Sequence, residues 1–234
     1  MNEFQLSNEK VEWLKWLALL SMTIDHINKY LFNGTNSISF DVGRLSMPIF
    51  TIILAYNLSR PGKVINDVCC RAMTKLLIFG MVSSIPFTLL NNTIQPLNIL
   101  FSLLAIVAIV YLLEIRSVLS IVISLGVFVA GGALVEYGWI GLSLGLSSYW
   151  FFKRNSRNAA VAVLIACGAL WFINGNYWAV LAIPIVMLAS KAPLPALPGP
   201  RFTWFFYSYY PIHLFALWLI RIPMRRQDIC SFEV

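Results

Sequence analysis

Four ionisable side chains interrupt long apolar runs in this chain: Asp25, His26, Arg44 and His213. Both of the chain's histidines are among them. An ionisable group in such a run is costly, and the usual reason for it is a cavity or a partner inside the fold. An imidazole beside a carboxylate moves protons, so general acid–base chemistry is the first reading, with His26 as base and Asp25 as its companion. Lys15 and His26 are eleven positions apart, about three helical turns and roughly 16 Å, so they share one helix face. A ligand with an anionic head and a long thin arm fits that spacing, and coenzyme A has that shape.

Each residue also has a plainer reading. Successive helix positions point about 100° apart, so Asp25 does not automatically orient the ring of His26. Its partner is then Lys29, one turn on, or Arg44, in an ion pair that joins the first two spans. His213, in "FYSYYPIHLFALWL", is either a substrate contact or a hydrogen-bonding packing residue. Tyr207, Tyr209 and Tyr210 fit an interfacial aromatic belt, with Tyr210 the candidate substrate contact. Asn98 is a second candidate contact, or a cap or interhelical bond at the end of a span. The four cysteines have no metal-ligand spacing, and no metal is expected.

The elements that position these groups follow from composition. Of 234 residues, 59% are hydrophobic and 12% charged, with a mean hydropathy of +0.76. Soluble domains carry about 25% charged residues, so most of this chain does not face water. The expectation is an all-α, polytopic transmembrane bundle forming one domain over residues 1–234. Apolar runs suggest about nine spans: 12–32, 42–59, 72–90, 97–113, 117–135, 137–152, 158–173, 176–190 and 203–220. Only "EYG" separates the fifth from the sixth, which are either a tight hairpin or one broken helix. "KAPLPALPGPR" is too rich in proline for helix and reads as a stiff connector. The first run is too long for a signal-peptide core and is read as a retained span.

Positive charge is concentrated in alternate loops: Arg60, Lys63, Arg71 and Lys75, then Lys153, Arg154 and Arg157, then Lys191 and Arg201. The intervening loops "NGTNSISFD", "NNTIQP" and "NGN" carry none. The positive-inside rule therefore puts the N-terminus in the cytoplasm. Arg221, Arg225 and Arg226 run against this count, because nine spans leave the C-terminus outside. The net charge of +7 sets topology here, and no nucleic-acid partner is expected.

In order along the chain, "LKWLALLSMTIDHI", "GRLSMPIFTIILAYNLSR", "LNILFSLLA", "YGWIGLSLGL" and "FYSYYPIHLFAL" resemble the TraX family. These are bacterial inner-membrane proteins associated with N-terminal acetylation of conjugative pilin. More distantly, the Lys15 to His26 spacing is similar to the first-helix signature of acyl-CoA-dependent membrane acyltransferases. The resemblance implies a multi-pass protein of the cytoplasmic membrane. It would move acetyl from acetyl-CoA, a co-substrate, to a pilin-type peptide amine at the outer face. Rival readings are O-acetylation of a surface glycan or lipid, and a small transporter with a polar midplane site. In the acyltransferase reading His26 is the general base, though an acetyl-histidine intermediate is a variant of it. Asp25 orients His26 or receives the acceptor's ammonium, Arg44 stabilises an oxyanion or the acceptor, and Lys15, Arg60 and Lys63 hold the coenzyme A phosphates.

Overall fold

In the computed structural model, residues 5–62, 64–195 and 203–230 are described. They are helical almost throughout: α1 Asn8–Leu31, α2 Ser37–Gly43, α3 Ser46–Ser59, α4 Ile65–Asn91, α5 Ile99–Ile115, α6 Val118–Leu134, α7 Gly138–Arg154, α8 Arg157–Ala169, α9 Trp171–Asn174, α10 Ala182–Lys191 and α11 Thr203–Cys230. A 3₁₀ turn, Trp178–Leu181, leads into α10. Each of the nine apolar runs is therefore helical. Three stretches are long and apolar enough to cross a membrane on those criteria alone: Ser37–Ser59, Ile65–Asn91 and Arg157–Asn174. The second run starts earlier than its apolar residues do, because Asn36 caps α2 by accepting from the Ser39 backbone N–H.

The fifth and sixth runs form a hairpin. α6 ends at Leu134, Tyr137 takes a left-handed conformation (φ +62°), and α7 starts at Gly138. The turn is pinned to the start of α5. Leu97 N–H donates to Leu134 O at 2.8 Å, and Glu136 N–H donates to Leu97 O at 2.9 Å. Of "KAPLPALPGPR", residues 192–195 are outside any helix, and the rest lies outside the described residues.

α6 has the surface of a helix in lipid. It turns Ser120, Ser124 and Gly132 inward and exposes Val118, Leu119, Ile121, Val122 and Leu125. A helix at a water surface does the reverse. Without a hydrophobic drive between helices in lipid, close packing depends on small residues. α7 supplies them as Gly141-x-x-x-Gly145: Gly141 faces Met47 of α3 and Gly145 faces Ile106 of α5. α5 is thereby held at the centre, with Ile106, Val107 and Val110 fully buried. α1 and α11 pack on each other at the side where the ionisable residues meet.

A Cβ at Gly145 would lie 2.5 Å from Ile106 Cδ1, whereas nothing lies within 4 Å of one at Gly126. Gly145→Val is expected to destabilise the bundle by about 1–3 kcal/mol, the usual cost of overpacking. Thermal unfolding of the purified protein in detergent checks this, with Gly126→Ala expected to match the parent.

Candidate active site

Asp25 and His26 sit in the second half of α1 and, being successive, face different helices. Asp25 faces the break between α2 and α3. There Oδ2 accepts from Nη2 of Arg44 in an ion pair that is nearly buried on both sides. Arg44 is the C-cap of α2. Its Nε donates to Phe40 O at 3.2 Å and its Nη1 to Asn174 Oδ1 at 3.4 Å, while its guanidinium lies over the Phe40 ring. Of Asp25's two candidate partners, the structure pairs it with Arg44. Gly43 permits the approach, because a Cβ there would collide with Asp25 Cβ. Asn28, one turn from Asp25, holds the intervening loop: its Nδ2 donates to Asn36 O and its Oδ1 accepts from Asn36 N–H.

His26 faces α11. Its Nδ1 lies 2.7 Å from Nε2 of His213, and the rings lie edge to edge, 10° from parallel, with centroids 5.0 Å apart. His213 Nδ1 lies 3.0 Å from the Tyr209 carbonyl. A carbonyl only accepts, so with both rings neutral the proton of His213 sits on Nδ1 and its Nε2 accepts from Nδ1–H of His26. The proton of His26 is then on Nδ1, and Nε2 keeps a free lone pair. Tyr209 is fixed in turn by its hydroxyl, 2.8 Å from Thr23 Oγ1 on α1. His213 is thus a hydrogen-bond partner of His26.

Three cavities are strung along this wall. The first, about 370 Å³, is lined by Asp25, His26, Lys29, Arg44 and Glu136, among others. The second, about 210 Å³, begins at Lys15 and is otherwise mostly apolar. Met22, Phe50, Ile99 and Tyr210 line both, so the two meet at these side chains. Lys15, Leu19, Met22 and His26 follow the walls of the pair along one face of α1, the face that the eleven-residue spacing predicts. The third, about 480 Å³, shares Arg44, Glu136 and Tyr137 with the first and is also lined by Pro96, Trp139 and Ile173.

Residues 10–221 match the family model described as TraX protein. The chain belongs to the TraX family. An uncharacterized protein of Rickettsia prowazekii (strain Madrid E) is 33% identical over 90 residues, which cover 38% of this chain. The matched part spans about a third, 32%, of that relative's own length. No solved structure matches.

Within this TraX chain the structure gathers Asp25, His26, Arg44, His213 and Tyr210 at one place. Lys15 lies in line with them, ion-paired with Glu12 at 3.2 Å. It does not gather Asn98 or Arg60. Asn98 caps α5 by accepting from Leu100 N–H and donates to Gly80 O and Ser84 Oγ, so its polar atoms are used in joining α5 to α4. Arg60 lines a separate cavity of about 710 Å³ with Lys153 and Arg154. Lys63 lies outside the described residues. Sequence reasoning treated Glu136 as turn punctuation, yet it lines the first and third cavities. Its short polar turn between two apolar runs was the available signal. It stands in the α6–α7 connection, outside both helices, where burial pushes its carboxyl up to about 7 against the weaker pull of Lys29, the Ile99 backbone N–H and Arg44.

Removing one partner of a buried ion pair strands the other charge, at a cost of about 3–5 kcal/mol. Asp25→Ala and Arg44→Met are each expected to lose that much stability. The double variant is expected to lose clearly less than the sum, measured as a double-mutant cycle in detergent unfolding.

Proposed function

We propose that this chain is a membrane-embedded acetyltransferase that moves acetyl from cytoplasmic acetyl-CoA to an amine acceptor at the outer face, a pilin-type N-terminus in the first instance. The observation that carries the reading is the pair of cavities meeting at Met22, Phe50, Ile99 and Tyr210. Together they follow α1 from Lys15 to His26, mostly apolar at the Lys15 end, as a pantetheine arm needs, and polar around His26. The positive-inside rule puts the Lys15 end in the cytoplasm of a cell with this protein in its inner membrane. Family membership supports a role connected with conjugation.

In this mechanism the acceptor nitrogen attacks the thioester carbonyl, forming the C–N bond. His26 takes the nitrogen's proton at Nε2 as that bond forms. Collapse of the tetrahedral intermediate breaks the C–S bond, and the imidazolium returns the proton to the leaving thiolate. His213 holds His26 in the tautomer that keeps Nε2 free. Lys15 attracts the phosphates as a point charge. The two spare N–H groups on Arg44's terminal nitrogens, left over from its bonds to Asp25, Asn174 and Phe40, suit the oxyanion.

The test is transfer of labelled acetyl from acetyl-CoA in inside-out vesicles, with the label sorted into polypeptide, glycan and free acetate. His26→Ala is expected to lose about 10²–10⁴-fold in transfer, the range of a general base. His213→Phe keeps an aromatic ring in place and removes the acceptor, so it is expected to lower kcat while the KM for acetyl-CoA holds. His26-dependent label in glycan would move the acceptor to a hydroxyl. A folded wild type with neither acetyl-CoA binding nor turnover would refute the enzyme.

A further inference from the structure

Glu136 is held between two of the cavities. It lines both the first cavity, which holds His26, and the third, from the α6–α7 connection. Its backbone is clamped on both sides: the N–H donates to Leu97 O at 2.9 Å, and Ser102 Oγ donates to its carbonyl at 2.6 Å. The Ile99 backbone N–H, a donor that the first turn of α5 leaves free, is close enough to favour the charged form of its carboxyl. Among the described residues Glu136 has no ion pair within 4.0 Å. The nearby cations are engaged elsewhere: Arg44 with Asp25, and Lys29, exposed on α1, with the face of Tyr30. Asp25 contributes a further acceptor, because its buried Oδ1 has no hydrogen-bond partner.

We propose that the third cavity is the acceptor's entrance and that Glu136 binds the acceptor's ammonium group and removes the first of its protons. This rests on the acetyltransferase reading above and assigns Glu136 and the third cavity their parts in that same site. The need is chemical. An amine enters as R–NH₃⁺, which has no lone pair, and must lose one proton before attack and a second as the C–N bond forms. A hydroxyl loses only one. His26 supplies one proton acceptor, so an amine requires another. Glu136 as carboxylate takes the first proton to give R–NH₂ and the neutral acid. R–NH₂ attacks, His26 takes the second proton and passes it to the thiolate, and Glu136 later releases its own to water through the entrance. An α-ammonium has an ordinary pKa of about 7.7–8.0, and the partly buried carboxyl lies close to it, so the first transfer is nearly balanced.

The test compares two small acceptors on one scaffold, alanyl-glycine amide and its hydroxyl counterpart lactyl-glycine amide, with purified protein in detergent and acetyl-CoA. The wild type is expected to favour the amine. In Glu136→Gln the ratio of kcat/KM for amine over hydroxyl is expected to fall at least tenfold, with Glu136→Asp between the two. Because the ratio is taken within one preparation, partial misfolding cancels from it. An unchanged ratio, or equal loss with both acceptors, overturns the proposal while His26-dependent turnover leaves the enzyme standing. A wild type that acetylates only the lactyl probe, or neither probe above the His26→Ala background, also overturns it. Absence of any His26-dependent use of acetyl-CoA removes both readings.

Discussion

The buried pair of Asp25 and Arg44 is the constraint on which the rest of the site depends. Two charges held out of water must stay in contact, so α1 cannot move away from the α2–α3 break without stranding one of them. The contact is close enough to require Gly43, and Phe40 and Asn174 complete the shell around the guanidinium. Because Asp25 and His26 are successive, fixing one toward α2 and α3 aims the other toward α11. A single dipeptide thereby ties α1 to two neighbours and places the imidazole between them.

The surroundings follow from the same geometry. α11 answers with His213, hydrogen-bonded to His26, Tyr209, bonded to Thr23 of α1, and Tyr210, which lines both the first and second cavities. α5 presents its N-terminus at the same level, with Ile99 lining both cavities. On the far side α6 offers almost nothing but apolar surface to its surroundings. The apolar outer face of α6 contrasts with the polar wall formed by α1, α2, α11 and the α6–α7 connection.

Much of this was legible in the chain. Lys15 and His26 fall on one face because a helix repeats every 3.6 residues, and nothing in the tertiary structure has to be known to see it. The partner of Asp25 was not legible: Lys29 is one turn away and Arg44 nineteen residues away, and only packing decides between them. Asn98 shows the opposite limit, since a lone amide at a helix start reads alike as a cap or a contact until its neighbours are placed. Glu136 was passed over because its position comes from the long-range pairing of Leu97 with Val135, which no local pattern announces. The second helix began early for a local reason, the Asn36 cap, outweighed in the sequence by the polarity of "SISFDVG".

The account stands or falls on whether the acyl end of coenzyme A reaches His26 from the Lys15 side. An acyl-CoA carrying a photoreactive acyl group, irradiated on the purified protein and mapped by mass spectrometry, tests that directly. The account predicts label on Met22, His26 or Tyr210, competed away by acetyl-CoA. Label confined to the cavity of Arg60, Lys153 and Arg154 would contradict it.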